Sequence, residues 1–93
     1  GKGLAIEAIK LGNEIAFETH GLKKLYGGMY RDNVGSVKAY LKANWIIEGI
    51  LKDHYLVDGK PQDRILVACF NPNFYKDDYH KKGTVSFEEA YKN

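Results

Sequence analysis

The fold is decided by residues 33–45, which read Asn33-Val-Gly-Ser-Val-Lys-Ala-Tyr-Leu-Lys-Ala-Asn-Trp45. Asn33 is a strong helix N-cap residue, and Asn44 tolerates the left-handed backbone conformation that ends many helices. The apolar residues between them recur at helical spacing. The stretch therefore predicts a helix over residues 34–43 that is closed by an aromatic residue.

Two side chains of this predicted helix carry groups that can take part in chemistry. Ser36 and Tyr40 lie four positions apart, so a hydroxyl and a phenol share one helix face, one turn from each other. With Asn33 at the helix start, they form a polar ridge that can follow an extended ligand. On their own, these residues favour a simpler interpretation: an N-cap Asn, a solvated Ser and a half-buried Tyr.

Upstream, residues 4–19 have the periodicity of an amphipathic helix. Its predicted apolar side contains Leu4, Ala5, Ala8, Ile9, Leu11, Gly12, Ile15 and Ala16. The other side contains Glu7, Lys10, Asn13, Glu14 and Glu18. Gly21 is expected to end the helix, because glycine readily adopts the conformation that follows a helix C-terminus.

A strand is predicted over residues 22–31, and Gly27 and Gly28 interrupt it. Paired glycines weaken a strand. They therefore indicate a bulge, or a place where a ligand or another backbone comes close.

Two further strands follow, over residues 45–57 and 64–70, and Gly49 marks a bulge in the first of them. Asp58-Gly59 is a hairpin signal, because a type I′ turn needs positive φ at both central residues. The second strand is apolar and β-branched, which predicts that both of its faces are covered.

Residues 72–93 differ in character from the rest and contain four lysines and four acidic residues. Ser86 begins the capping-box pattern Ser-Phe-Glu-Glu, which predicts a short final helix. The aromatic residues of this tail leave two alternatives open: packing onto the domain, or a homodimer interface. The predicted order is α-β-α-β-β in a domain of residues 1–71, followed by the tail.

Composition and charge exclude several classes of protein. The 93 residues are 44% apolar and 28% charged, so one small folded domain fits and a disordered chain does not. The net charge of +2 is too small for the dense basic face of a duplex-binding module. No apolar run approaches the ~18 residues of a membrane span. We therefore expect no nucleic-acid and no membrane partner.

The single cysteine, Cys69, lies in an apolar run. One cysteine excludes an internal disulfide framework and a Cys-rich zinc site. We expect a buried thiol in a reducing, cytoplasmic compartment.

The first predicted helix begins directly after a glycine-rich start, Gly1-Lys2-Gly3-Leu4-Ala5. Unpaired N–H groups and the positive end of the helix dipole form an anion site there, and glycine lets the backbone approach a phosphate. A flexible terminus is an equally weighted alternative for these residues alone.

Together, the glycine-rich helix start and the later Asn-x-x-Ser-x-x-x-Tyr pattern resemble the GNAT superfamily of N-acetyltransferases. The resemblance covers residues 1 to about 70. It implies the C-terminal half of an α/β fold built on a mixed sheet, with acetyl-CoA as co-substrate and no metal. Residues 47–67 resemble the branch that includes ribosomal-protein N-terminal and amino-sugar-nucleotide acetyltransferases.

The resemblance also implies roles for individual residues. The positions that match the end of the pyrophosphate loop, whose N–H groups hold the CoA diphosphate, are Gly1, Lys2, Gly3, Leu4 and Ala5. Asn33 and Ser36 match positions that contact the pantetheine arm or nearby phosphates. Tyr40 matches the phenol that protonates the leaving CoA thiolate.

The resemblance places the general base and the oxyanion contact upstream of Gly1. A domain of this kind usually has ~150 residues or more, so we expect roughly 80–110 residues there. The 93 residues alone are then expected to be inactive.

The implied reaction is acetyl transfer from acetyl-CoA to a primary amine, with an amino-sugar nucleotide as the favoured acceptor. A ribosomal-protein N-terminus or a polyamine is the alternative within this fold. A non-catalytic module that binds CoA or a protein is the alternative from another class.

Further polar side chains could contact the acceptor or CoA, namely Asp53, His54, Asp63, His80, Lys38 and Lys42. For each of them, a structural or solvent-exposed role without a ligand is favoured. We expect solvated histidines, salt-bridged surface carboxylates and a solvated lysine face on the helix.

Overall fold

A three-stranded sheet with two helices on one face makes up the computed structural model, which describes residues 2–77, 81 and 84–92. In chain order, the elements are α1 (Lys2–Glu14), a π-helical turn (Ile15–Thr19), β1 (Lys24–Tyr30), α2 (Val34–Lys42), β2 (Ile46–Val57), β3 (Lys60–Phe70) and α3 (Phe87–Ala90). This order confirms the predicted α-β-α-β-β arrangement and the short final helix.

The sheet has the order β1-β3-β2, so the last strand in sequence lies in the middle. Both pairings are antiparallel, with Ile65 of β3 opposite Met29 of β1 on one side and Ile50 of β2 on the other. Among the described residues, no strand pairs with the outer edge of β1. The α/β class is confirmed.

The first helix ends where Gly21 was expected to end it. Gly21 has a φ of 63°, and the amide of Leu22 donates to the carbonyl of Ala16 at 3.1 Å. The last five residues of the predicted helix, Ile15–Thr19, form a π-helical turn instead of an α-helix.

The apolar side predicted for α1 is partly wrong. Leu4 and Leu11 are 76% and 57% exposed, whereas Asn13 and Phe17 are buried. Ile6, which was not in the predicted set, packs against the core. The buried stripe of the helix is therefore rotated toward the side that was predicted to be polar.

The hairpin between β2 and β3 follows the turn chemistry of its sequence. Asp58 and Gly59 have φ values of 52° and 76°, the positive pair that a type I′ turn needs. The register of β2 shifts at Gly49, as predicted, and again between Leu51 and Tyr55. The tight turn lets the two strands pair directly beside it, with Val57 opposite Lys60. The strand β3 therefore begins at Lys60 and not at residue 64.

The core lies between the helices and one face of the sheet. Its buried residues come from the π-helical turn, α2, the connection from α2 to β2, the two long strands and α3. They are Phe17, Val37, Ala43, Trp45, Ile47, Ile65, Val67, Cys69 and Ala90. Burial raises the pKa of the Cys69 thiol to about 11. The expectation that Cys69 is a core residue is confirmed.

The opposite face of the sheet is exposed at its edge strands, but β3 is largely shielded there, as predicted: Ala68 is fully buried and Leu66 is half-buried. Tyr26 of β1 is 73% exposed on this face, and Leu51 of β2 is 39% exposed. No described helix packs over Leu66 at the centre of this face. The apolar composition of β3 reflects its central place in the sheet as much as its covering layers.

Gly27 and Gly28 point to opposite faces of the sheet, and only Gly28 leaves space that a neighbouring side chain occupies. A Cβ on Gly27 would lie 3.5 Å from Val67 and 3.6 Å from the Trp45 ring, which is ordinary contact. A Cβ on Gly28 would collide with the guanidinium of Arg64. The pairing of β1 with β3 shows no bulge at the two glycines, and the group that approaches Gly28 is a side chain and not the predicted backbone.

The described part of the tail packs onto the domain. Val85 forms an antiparallel bridge with Ile47, and the Ser86 side chain caps α3 by accepting from the Glu89 amide at 3.1 Å. The Tyr91 hydroxyl donates to the Arg31 carbonyl at 2.6 Å. The division of the chain at residue 71 stays a prediction.

None of the helices in the described part of the chain is long and apolar enough to cross a membrane.

Candidate functional site

The start of α2 is built as its sequence predicted. The Asn33 side chain accepts a hydrogen bond from the Ser36 amide at 3.3 Å, and its carbonyl accepts from Val37 at 3.1 Å. A tight turn places Asn33 directly after β1, since its amide donates to the Tyr30 carbonyl at 3.0 Å. The helix thus presents its first-turn N–H groups at the carboxyl end of β1.

Tyr40 lies one turn beyond Ser36 on α2. Its ring meets the Trp45 ring edge-to-face, with centroids 4.8 Å apart and planes at 80°. The phenol packs partly against the core, and its hydroxyl has no hydrogen-bond partner among the described residues. A phenol held by its ring with a free hydroxyl can donate a proton to a bound ligand.

The end of α2 is a tight left-handed turn. Asn44 has a φ of 72°, which confirms its predicted conformation. The turn brings the Trp45 amide to the Tyr40 carbonyl at 3.0 Å. Trp45 is thereby fixed beneath the helix that carries Tyr40.

The start of α1 is accessible. Gly3, Leu4 and Ala5 are exposed, and a Cβ on Gly3 would meet nothing within 4 Å. The first turn contains no acidic residue. Gly1 lies outside the described residues, and so does the Lys2 side chain. The described amides fit an anion, because the helix dipole is positive there and no side chain blocks approach.

A buried amide joins the two helices. The Asn13 side chain donates to the Ala43 carbonyl at 2.9 Å and accepts from the Trp45 indole N–H at 2.9 Å. Sequence reasoning placed Asn13 on the polar side of α1 and missed this contact. The available signal was Trp45 itself, because a buried indole N–H needs an acceptor.

The hairpin carboxylate Asp63 is used within the hairpin. It accepts from the Asp53 amide at 3.0 Å and pairs with Lys52 at 3.3 Å. The hydrogen bond from Asp53, assisted by Lys52, lowers the pKa of the Asp63 carboxyl despite its partial desolvation. The interpretation of Asp63 as a salt-bridged carboxylate is confirmed.

The other polar side chains singled out in the sequence are not brought together into one site among the described residues. His54 is exposed and contacts the Tyr55 ring, with centroids 4.7 Å apart. Lys38 lies over the Phe87 ring at 5.3 Å, and Lys42 is exposed. His80 lies outside the described residues. Within the described ranges, no group of three or more metal-binding side chains is found.

Comparison with curated proteins identifies N-acetyltransferases as relatives. No family model matches the chain. Over 73 residues it is 32% identical to the probable N-acetyltransferase YjcK of Bacillus subtilis, a match that covers 78% of this chain and 40% of the relative. Over 74 residues it is 30% identical to the spermidine N(1)-acetyltransferase of Escherichia coli K12, covering 80% and 40%. The chain thus spans about 40% of the length of these relatives.

Solved structures show the same architecture. The spermidine N-acetyltransferase of Vibrio cholerae in complex with CoA and spermine superposes with a TM-score of 0.72 at 24% identity, covering 80% of this chain and 44% of that one. The ribosomal-protein-S5-alanine acetyltransferase of Vibrio fischeri gives 0.68 at 24% identity, covering 76% and 39%. The chain therefore has the fold of these acetyltransferases over about four-fifths of its length. The sequence relatives are N-acetyltransferases as well, which agrees with the resemblance stated from the motifs.

Proposed function

We propose that this protein is an N-acetyltransferase that moves an acetyl group from acetyl-CoA to a primary amine of a polyamine. The observation that carries the proposal is the α2 ridge, where an Asn33-capped helix start leads to Tyr40, whose hydroxyl has no partner within the described part of the chain. The relatives named above are acetyltransferases, which supports the reaction class.

In the proposed reaction, the amine nitrogen attacks the thioester carbonyl and the carbon–sulfur bond breaks. Tyr40 gives its proton to the leaving CoA thiolate, and the amine loses a proton to solvent or to a base. The base and the oxyanion contact are not assigned to any described residue. Much of the rate would come from holding the two substrates in line.

The CoA-binding role of the helix starts is part of the proposal. The exposed α1 residues Gly3, Leu4 and Ala5, together with Gly1 and Lys2, would hold the diphosphate through backbone N–H groups. Asn33 and Ser36 would contact the pantetheine arm or a nearby phosphate. A neighbour of the same fold has been solved with CoA, which supports acetyl-CoA as the co-substrate.

The acceptor differs from the one favoured by sequence reasoning. Spermidine acetyltransferases occur among both the curated relatives and the solved neighbours, and none of the proteins named above acts by its name on an amino sugar. The comparisons therefore favour a polyamine over an amino-sugar nucleotide. One neighbour is dodecameric, so we extend the proposal to self-association. A cytoplasmic location stays a prediction.

The test uses the full-length gene product. Calorimetry with CoA measures binding, and thiol release from acetyl-CoA measures turnover with spermidine, an amino-sugar nucleotide or an alanine-initiated peptide as acceptor. We expect spermidine to be the best of the three. Tyr40→Phe should lower kcat by about 100-fold while CoA still binds, because loss of a general acid typically costs at least that factor.

Tyr26→Phe is the matched control, since Tyr26 lies exposed on the opposite face of the sheet. It should leave kcat unchanged. Absence of CoA binding by the wild type would refute the proposed function. An unchanged kcat in Tyr40→Phe would refute the assignment of the acid alone.

A further inference from the structure

We propose that Asn13 and Trp45 act as a positioning pair that fixes the Tyr40 phenol and couples it to α1. The proposal rests on the proposed function, because it concerns how the proton donor of that reaction is held. It assigns to these two residues a role that acts through Tyr40.

The pair is buried and fully hydrogen-bonded. Asn13 and Trp45 are 9% and 8% exposed. The Asn13 amide uses both ends: its oxygen accepts from the indole N–H at 2.9 Å, and its nitrogen donates to the Ala43 carbonyl at 2.9 Å. Such a bridge holds a side-chain orientation, because breaking it leaves buried polar groups unpaired.

The bridge reaches Tyr40 by two contacts. The Trp45 ring meets the Tyr40 ring edge-to-face at 4.8 Å, and the Trp45 amide donates to the Tyr40 carbonyl at 3.0 Å. One contact orients the phenol ring, and the other ties its main chain. Rotation of the indole would therefore move the surface against which the Tyr40 ring rests.

An apolar core would not need this arrangement. A phenylalanine at position 45 and a leucine at position 13 would fill the space without a buried amide, and polar groups in a core stabilise it little. What the amide adds is a defined orientation and a link between two helices. One of these helices starts at the candidate phosphate site, and the other carries the candidate acid.

The variants are Asn13→Ala, Trp45→Phe and the two combined, made in the full-length gene product. We expect each single change to lower kcat by about tenfold and to change the KM for acetyl-CoA by less than about twofold. The combined variant should lose about the same factor as either single change, because both break one unit. Trp45→Phe keeps an aromatic ring but also removes part of the packed indole, so Asn13→Ala, which retains the indole, is the cleaner test of the hydrogen bond.

Asn71→Ala is the matched control. Asn71 is 1% exposed, and its amide also bridges two backbone groups, donating to the Leu22 carbonyl at 2.9 Å and accepting from the Asn73 amide at 3.0 Å. It should lower the unfolding temperature as Asn13→Ala does, but leave kcat unchanged.

A readout independent of turnover is the NMR signal of the Tyr40 ring, whose shifts depend on the facing indole. Asn13→Ala should move these signals and the emission of Trp45, the single tryptophan. Asn71→Ala should move neither. If Asn13→Ala and Trp45→Phe leave Tyr40 and kcat as Asn71→Ala does in an active enzyme, the positioning role is wrong. A wild type without acetyl transfer would overturn the proposed function and this role together.

Discussion

The two faces of the sheet differ in how deeply their side chains are buried. On the helix-covered face, Ile65 and Val67 are sealed beneath the helices and Trp45. On the other face, Tyr26 is mostly exposed, and the buried Nε of Arg64 has no hydrogen-bond partner among the described residues. Ile65 is thus fully buried, whereas its neighbour Leu66 is only half-buried. The candidate site lies in the helix layer.

The comparison is tested most strongly by truncating adjacent residues of β3. Ile65→Ala should lower the free energy of unfolding by about 2–5 kcal/mol, because Ile65 is fully buried and leaves a cavity. Leu66→Ala should cost less than about 2 kcal/mol, since its side chain lies on the partly exposed face. Denaturant unfolding measures both. Equal losses would mean that another surface covers the open face in solution.

A smaller effect is expected at the glycine pair. Gly28→Ala should cost about 1 kcal/mol, because its Cβ displaces the Arg64 guanidinium. In an Arg64→Ala background the same change should cost nothing, since the colliding group is gone. Gly27→Ala is the control, and ordinary contact distances predict a change within about 0.5 kcal/mol. A cost at Gly28 that persists without Arg64 would contradict this explanation.

The smallest expected effect is the pH dependence of stability that Asp63 contributes in the β2–β3 hairpin. The folded-state pKa of Asp63 is lowered chiefly by the Asp53 amide, so its stabilisation is present above the unfolded pKa, near 3.8. This stabilisation is lost as the pH falls through the lower, folded pKa. Between pH 5 and 2, wild type should lose more unfolding free energy than Asp63→Asn, by less than about 1 kcal/mol.

Asp58→Asn provides the control, because Asp58 occupies a turn position that asparagine also accepts. Its stability should follow the wild-type pH dependence. If Asp63→Asn does so too, the carboxylate is not held by the hairpin.

Elements encoded by local chemistry were predictable. The Asn33 cap, the left-handed Asn44 and the Asp58-Gly59 turn each depend on one or two residues and their backbone preferences. The π-helical turn at Ile15–Thr19 was not, because residue propensity and apolar periodicity do not distinguish it from a continued α-helix.

The candidate site was predictable to the same extent. Ser36 and Tyr40 follow from helical spacing, and their proposed roles follow from the family resemblance. The bridge from Asn13 to Trp45 spans more than thirty residues, so no local pattern could reveal it. Only the general need of a buried indole for an acceptor pointed toward it, and several polar residues could have met that need.

The central place of β3 also has a consequence for how the chain acquires its structure. Both edge strands, β1 and β2, precede β3 in the chain, so neither has a partner in the described sheet until β3 has been made. The β2–β3 hairpin can then form locally, whereas pairing β1 with β3 must close a loop that contains all of α2 and β2. During synthesis on the ribosome, α1 and α2 therefore emerge before the central strand of the sheet that they cover. Sheet closure should be the slow step of folding.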